Sequence, residues 1–438
     1  STHYDARSPR CATPGDTMTQ RNIVETNSIA RIGRESTFGT TATNMRRVAL
    51  NSAQNPLGES RREMLPVNDA SPYQHDFKSP VQGVQMGSPV KFSVDVKRIR
   101  NRLVAGASAA DYPAVDAADA LSHQILLDHW LGGSHVERGS TVAASPAPAE
   151  GAFTVATGHG ARFVEGQIVI INGYPRVVTD VTGDALTIRP DLPAAPAADA
   201  VVLNTFSFYR AESHTQTLTL EHAFAESSTA ETQRRGRGIY GGCAWTAERG
   251  KGPTLAFDGV STAHDGPGDL SITVSDAADD MGAQIRWDGV AYLFDGTSNP
   301  SHVCVETSTV TVPNKWATPR CGSGVETVNG AVMVGGREGP PKVTLLVRHD
   351  ADQHTAFTAG TVRDLLLYTQ AGSGTAQRFV GWYFPRVEVT EEPTSEAKDG
   401  LVYTKVTLTA KANTTVAGSP LGASSTDLMR SPCVLFLG

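Results

Sequence analysis

Short runs in which apolar and polar side chains alternate recur along most of this chain, and this pattern constrains its fold most strongly. Val90, Phe92, Val94 and Val96 alternate with polar residues, and residues 401–410 repeat the pattern. Such alternation is typical of a strand with one buried and one wet face. The 42 glycines and 25 prolines, with only 19% charged residues, also favour turns and short strands over long helices. The sequence therefore predicts a mainly β protein, a sandwich or barrel.

One flanking helix interrupts this pattern, and we predict it over residues 116–131. Asp116 can cap its start, and Gly132-Gly133 ends it. The apolar side chains cover most of the helix circumference, so we expect it to pack on more than one neighbour: Leu121, Ile125, Leu126, Leu127, Trp130 and Leu131. His123 and His129 are six residues apart and do not share a helix face, which argues against a metal site there.

A small β-barrel inserted at residues 149–208 is predicted between two stretches of Ala and Pro. Five short apolar runs lie in or beside it, and Asn172-Gly173 and Gly183-Asp184 mark turns between strands. Linkers of this composition are typical of a module grafted at a surface loop, so we expect an outer, dispensable domain. The host domain then comprises residues 90–148 and 209–420.

The two ends of the chain read as extended arms. Residues 1–89 form a polar N-terminal arm and long loop, which cannot bury enough apolar surface to order itself. Residues 1–102 carry a charge of +6 and the remainder −13, so we expect this arm to reach onto other copies of the chain. The arm's candidate contact residues are Arg46, Arg47, Arg61 and Arg62. Residues 421–438 form a C-terminal arm whose apolar end should dock on its own fold or on a neighbour.

A glycine-rich segment matches the dinucleotide motif GxGxxG between Gly236 and Gly241. The motif requires a strand before it and a helix after it, whereas a second strand pattern follows here. We interpret the segment as a loop between strands. Its arginines could hold phosphate, but an interface with acidic neighbours is favoured: Arg234, Arg235 and Arg237.

No group of residues with catalytic or metal-binding spacing is found, so we expect no enzyme and no cofactor. His349 and His354 lie near two aspartates, and a solvated loop is the favoured interpretation. No apolar run approaches the ~18 residues of a membrane span. The five cysteines are expected to be reduced thiols, with a disulfide between Cys304 and Cys321 as the alternative.

Three segments, in order, resemble one protein family. Arg31-Ile-Gly-Arg-Glu-Ser-Thr-Phe-Gly-Thr-Thr-Ala is similar to the opening of siphophage major tail tube proteins. The segment from Leu218 through the glycine-rich run to Thr254-Leu-Ala-Phe-Asp-Gly resembles the family's central strands. Gly381-Trp-Tyr-Phe-Pro-Arg-Val-Glu-Val with Asp399-Gly-Leu-Val-Tyr resembles its C-terminal strand pair. The long arm and the insert depart from the compact family pattern.

The resemblance implies a structural virion protein whose copies close into hexameric rings. The rings would stack into a tail tube that passes genomic DNA without sequence-specific binding. Implied partners are further copies, a tape measure protein and a tail terminator, with assembly in the host cytoplasm. A polar strand face without Lys or Arg would suit the channel wall, and the candidate residues are Thr217, Thr219 and Glu221. That face could instead point outward.

Two other functions remain open from the sequence. One is a virion surface adhesin or carbohydrate-binding β-sandwich protein, which would need an exposed aromatic shelf. Phe206, Phe208 and Tyr209 are the candidates for that shelf. The other is an enzyme, which the motif search disfavours.

Overall fold

The computed structural model of this chain is mainly β, as the alternating pattern predicts. It describes residues 28–43, 45–48, 50–51, 56–58, 88–96, 122–135, 137, 139–225, 231–269, 285–294, 301–318, 320–322, 326–328, 330–334, 339–348, 355, 358–372, 378–412 and 427–438. The helices in this part are α1 (Ser122–Leu131), α2 (Asp427–Arg430) and a 3-10 turn at Gly160–Arg162.

The strands are numbered here in chain order. The first twelve are β1 (Ser28–Arg34), β2 (Arg46–Val48), β3 (Ser88–Asp95), β4 (Gly132–His135), β5 (Ser140–Thr141), β6 (Ala152–Thr154), β7 (Ile168–Ile171), β8 (Tyr174–Thr182), β9 (Ala185–Arg189), β10 (Val201–Asn204), β11 (Phe206–Arg210) and β12 (Ser213–His214). The remainder are β13 (Leu218–Ala225), β14 (Glu231–Glu248), β15 (Thr254–Asp269), β16 (Gly289–Phe294), β17 (Ser301–Thr311), β18 (Lys315–Ala317), β19 (Arg320–Gly322), β20 (Glu326–Val328), β21 (Val332–Val334), β22 (Lys342–Arg348), β23 (Val362–Ala371), β24 (Arg378–Val389), β25 (Thr394–Lys398), β26 (Leu401–Ala410) and β27 (Val434–Leu437).

Sixteen strands form one large antiparallel sheet, curved as a half-barrel. Its main path runs β2-β1-β13-β14-β17-β16-β23-β24-β27-β11-β4, with β15 and β3 attached to β14, and with β22, β26 and β25 attached to β17 and β24. Two smaller sheets, β12-β21-β18 and β19-β20, lie outside it. The large sheet is open: among the described residues, β2 and β25 each pair on one side only.

The insert forms a closed six-stranded barrel, in the order β5-β10-β7-β8-β9-β6. A bridge between Val142 and Val155 joins the two outer strands and completes the ring. The ring begins with β5, upstream of residue 149, because β5 supplies the partner for β10. At the other end, β11 belongs to the large sheet, where it pairs with β27 and β4.

The barrel is joined to the large sheet by a shared apolar cluster. Ile168, Ile170 and Val177 of the barrel pack with large-sheet residues such as Phe379 and Phe436. Gly166, at φ +86°, lies so close to α2 that an added Cβ would be 2.7 Å from the backbone nitrogen of Met429. These contacts argue against the expectation that the insert is dispensable, because the barrel's removal would expose part of the sheet's core.

The structure differs from the sequence-based predictions in the extent of the helix and of the two arms. Helix α1 is described from Ser122 and ends at Leu131, and the predicted start at Asp116 lies outside the described residues. Residues 124–131 are all buried, as the apolar side chains around the helix predict. The expectation that the apolar C-terminal end docks on its own fold is confirmed, but this end is no extended arm: it is β27, a fully buried strand between β24 and β11. The alternation test missed it because all four residues are apolar and both of its faces are covered.

The prediction of an extended N-terminal arm is wrong for the part of that segment that the structure describes. Strands β1 and β2 join the large sheet, and Leu57 is buried and bridges to Val90 of β3. The few apolar residues of this segment are ordered by a sheet built from distant parts of the chain. Residues 1–27 and 59–87, including Arg61 and Arg62, lie outside the described residues.

Candidate assembly surface

A row of charged side chains crosses neighbouring strands at one end of the large sheet. The antiparallel register places Arg47, Arg31, Glu221, Arg235 and Asp265 side by side on β2, β1, β13, β14 and β15. Arg237, two residues further along β14, also contacts Asp265. We call these six residues the arginine ladder. With four arginines and two carboxylates it carries a net charge of +2.

Glu221 is the centre of the ladder. Its Oε2 accepts a hydrogen bond of 3.0 Å from Nε of Arg31, and its Oε1 accepts one of 2.6 Å from Nε of Arg235. The Glu221 side chain is 2% exposed, whereas those of Arg31 and Arg235 are 13% and 18% exposed. Burying a carboxylate this deeply costs little free energy only while both guanidinium groups remain beside it.

Asp265 extends the row. One of its oxygens lies 3.5 Å from Nη1 of Arg235, and the other accepts a 2.8 Å hydrogen bond from Nη2 of Arg237. Nη1 of Arg237 donates to the backbone carbonyl of Gly39 at 2.9 Å. Charges therefore alternate from Arg31 to Arg237, and the Arg237–Gly39 hydrogen bond ties the turn after β1 to strand β14.

The row ends at the sheet edge with two like charges. Arg31 and Arg47 are directly opposite each other across β1 and β2, and Arg47 is exposed. Like charges opposed across two strands are destabilising unless an anion lies near them. For Arg31 that anion is Glu221.

The polar face of β13 lies beneath the turn that follows β1. Both oxygens of Glu35 accept a threonine hydroxyl and a backbone N–H: Oε2 from Thr217 and Gly39 at 2.8 Å each, and Oε1 from Thr219 at 2.9 Å and Gly238 at 2.8 Å. Burial raises the pKa of Glu35 above its ordinary value, and these four hydrogen bonds oppose that rise.

The prediction that Thr217, Thr219 and Glu221 line a water-filled channel is therefore wrong. The three residues are 1%, 0% and 1% exposed within a single chain. Alternation identified them correctly as one polar face of a strand. It did not reveal that Glu35 and the neighbouring arginines cover that face.

The glycine-rich segment is a strand and not a loop. Arg234, Arg235 and Arg237 lie in β14, which pairs with β13 and β15. A bulge opposite Thr219 places Gly238 at φ +60°, and this geometry turns its N–H toward Glu35. The arginines divide between the two faces: Arg235 and Arg237 join the ladder, and Arg234 pairs in register with His222.

Of the predicted arm residues, the structure describes Arg46 and Arg47. Arg47 is exposed on the ladder face, whereas Arg46 is partly buried and its register partner is the core residue Ile32. The sequence reasoning missed Glu35 and Asp265. Glu35 lies within the Arg31–Ala42 motif, so the motif identified the segment without revealing the role of this carboxylate.

A cluster of aromatic and histidine rings lies between α1 and β12. The rings of His129 and Trp316 are stacked with centroids 5.1 Å apart, and His214 meets Trp316 edge-on at the same distance. Nδ1–H of His129 donates to the carbonyl of Gln216 at 2.9 Å. Burial, then the neighbouring His214 and Arg34, lower the pKa of His129 to about 3; burial and Arg34 lower that of His214 to about 4.

Several other predictions can be placed on the structure. Phe206 and Phe208 are 2% and 0% exposed, so the aromatic shelf expected for a carbohydrate-binding surface is not formed by them. Cys304 is a free thiol, which excludes the disulfide with Cys321. Within the described ranges no three metal-ligating side chains cluster, and none of the helices there has the length and hydropathy of a membrane-spanning segment.

Comparison with known protein families and with curated proteins finds no match. No protein-family model matches the chain, and no curated protein matches its sequence.

Proposed function

We propose that this chain is the structural subunit of a phage tail tube. Copies close into rings, six to a ring as the family resemblance implies, and the rings stack into a channel through which genomic DNA passes. The protein acts by shape and charge, without catalysis or a cofactor. Its partners are further copies, a tape measure protein and a tail terminator, and its location is the virion tail after assembly in the host cytoplasm.

The observation that carries this proposal is the open, curved sheet. A sheet of sixteen strands leaves unpaired backbone N–H and C=O groups at β2 and β25, within the described residues. Natural proteins cover or close such edges, because an exposed edge recruits other chains. Copies arranged in a ring supply that cover through a repeated, closed contact.

The positions of the family-like segments support the same proposal. The Arg31–Ala42 segment supplies Glu35 of the buried cluster and Arg31 of the ladder, and its strand β1 is the one that β2 pairs with. The two C-terminal segments lie on strands that pair with each other, β24 and β26, although the pairing uses residues 408–410 of β26 and not the segment 399–403 itself. Because Thr217, Thr219 and Glu221 are buried, other residues form the channel wall in this proposal.

Electron microscopy of the purified protein in negative stain tests the proposal. We expect hollow rings or hollow tubes of constant diameter. Asp180→Arg is a suitable control, because this exposed carboxylate lies on the inserted barrel, away from both sheet edges. The control should assemble like the natural chain. A monomer at all concentrations, or solid fibres, would contradict the proposal.

A further inference from the structure

A cleft of about 890 Å³ lies where the end of β11, the segment before β22 and the end of β26 come together. This volume is within the range of small-molecule sites, roughly 300–1,000 Å³. None of the six residues of the arginine ladder lines the cleft. Its walls are formed by Val334 and by residues 209–213, 339–341, 410–412 and 430–432.

Arg210 of this lining is a buried cation, only 6% exposed. Its Nη1 donates to the carbonyl of Gly339 at 3.3 Å, and its Nη2 donates to the carbonyl of Pro313. Its Nε is buried and has no hydrogen-bond partner in the part of the chain that the structure describes. A guanidinium has more N–H donors than these two bonds use, so Arg210 can hold a further acceptor.

The charge of Arg210 is not balanced by a carboxylate among the described residues. Burial lowers the pKa of its guanidinium, and the group that opposes this change is the thiol of Cys433. That thiol is itself uncharged at neutral pH, because burial raises its pKa to about 12. Burying a charge without a partner costs free energy, so an anion that reached Arg210 would be held strongly.

Arg176, in the inserted barrel, shows how the same fold balances another buried guanidinium. It is 2% exposed, it donates to two backbone carbonyls, and its Nε likewise has no partner within the described ranges. Its guanidinium, however, lies 5.2 Å from the centre of the Tyr174 ring. Burial lowers its pKa, and neighbouring tyrosines and Asp191 oppose that change. Arg210 has no equivalent of this ring and carboxylate among the described residues.

The remainder of the lining is positive at some points and apolar at others. Among the described lining residues, Arg210, Lys411 and Arg430 outweigh the carboxylate of Glu212, so the net charge is +2. Lys411 pairs with Glu388, which lies outside the lining. The apolar part of the wall consists mainly of proline and alanine side chains: Ala211, Pro340, Pro341, Ala410, Ala412 and Pro432. Such a wall suits an anion that carries an apolar body.

We infer that this cleft binds a small organic acid, whose carboxylate pairs with the guanidinium of Arg210 and whose apolar body lies against the prolines and alanines. A planar guanidinium matches a planar carboxylate in a two-point contact, which an ammonium group cannot make. The inference goes beyond the proposed function and does not depend on it. Binding can be measured whether or not the copies form tubes.

Isothermal titration calorimetry of the full chain with sodium benzoate tests the site. We expect one saturable site per chain. Arg210→Met removes an unbalanced buried charge, so it should fold, as circular dichroism can verify, and it should bind benzoate about tenfold more weakly or worse. Arg176→Met is the matched control, because it removes a buried arginine far from the cleft lining; it should bind benzoate as the natural chain does.

Arg210→Lys separates the shape of the cation from its charge. It should bind benzoate more weakly than the natural chain and more tightly than Arg210→Met, because it keeps a cation but loses the two-point contact. Natural affinity in Arg210→Lys would overturn the inference, and this result decides alone if Arg210→Met does not fold.

Two further probes examine the ligand. Acetate has the carboxylate of benzoate without its ring, so it should bind the natural chain more weakly. Inorganic phosphate should also bind more weakly than benzoate. Tighter binding of acetate or phosphate would contradict a site for an organic acid with an apolar body. The site itself would be refuted by the absence of saturable benzoate binding, by natural affinity in Arg210→Met, or by an equal loss in Arg176→Met.

Discussion

The inserted barrel and the large sheet deal with strand edges in opposite ways. The barrel closes on itself through the Val142–Val155 bridge, so every strand in it has two neighbours. The main path of the large sheet ends at β2 and β4, and β25 is a further edge strand; among the described residues each of these strands pairs on one side only. The difference shows that one chain can contain a complete unit, whose strand edges are all paired within the chain, and an incomplete unit, whose outer strands are paired on one side only. The incomplete unit is where other copies are expected to bind.

The largest expected effect comes from the centre of the arginine ladder. Glu221→Gln leaves two mostly buried arginines facing a neutral amide, and we expect the free energy of unfolding to fall by about 3–5 kcal/mol. Hydrogen exchange should quicken in β1 and β13 while the inserted barrel stays protected. Glu392→Gln, an exposed matched control, should change stability by less than about 0.5 kcal/mol. Equal losses in both variants would contradict the ladder's role at the open edge.

The joint between barrel and sheet gives the next largest effect. Gly166→Ala combines a positive φ with a clash against the backbone of Met429, so we expect a loss of about 2–4 kcal/mol. Gly158→Ala is the matched control: its φ of +78° is similar, but nothing lies within 4 Å of the added Cβ. Its loss should be about 1 kcal/mol. Urea denaturation measures both, and similar values would show that barrel and sheet are not tightly packed there.

A smaller loss is expected at the buried carboxylate beneath the turn. Glu35→Gln preserves the size of the side chain but turns an NH₂ group toward two of the four groups that donate hydrogen bonds to Glu35. We expect the free energy of unfolding to fall by about 2 kcal/mol. Stability equal to that of the natural chain would mean that the four hydrogen bonds do not hold the turn.

The last of these predictions concerns the pH dependence of stability. Between pH 6.5 and about 4 the unfolded chain binds protons at His129 and His214 that the folded chain does not, so stability falls on acidification, by up to about 1.4 kcal/mol per pH unit for each histidine. His129→Phe retains the stack on Trp316 and should remove one histidine's share of that slope. Denaturation at pH 6, 5 and 4 measures it. An unchanged slope would contradict the assignment.

Sequence reasoning predicted which segments form strands better than it predicted which strands lie beside one another. Alternation located β3, β13 and β26, and turn residues located most strands of the barrel, because both signals are local. The same signals could not show that β27 enters the middle of the sheet or that the turn after β1 covers Thr217 and Thr219. Glycines in β14 resembled a loop because the bulge at Gly238 needs a conformation that loops also use.

The candidate site was predicted only in part, for the same reason. The arginines of β14 and Arg47 were identified by composition, and Glu221 by its strand face. Their assembly into one row depends on the register between four strand pairs, which single-sequence patterns do not specify. Asp265, in a strand rich in glycine and charge, carried no separate signal.

The most direct test of the central claim, that copies cover the open edges of the large sheet, is a cryo-electron microscopy reconstruction of the polymer. We predict a hollow tube of stacked rings in which β2 and β25 are both buried between copies, and in which the closed barrel forms no essential contact. A reconstruction in which β2 and β25 face solvent while the barrels join the copies would contradict the account.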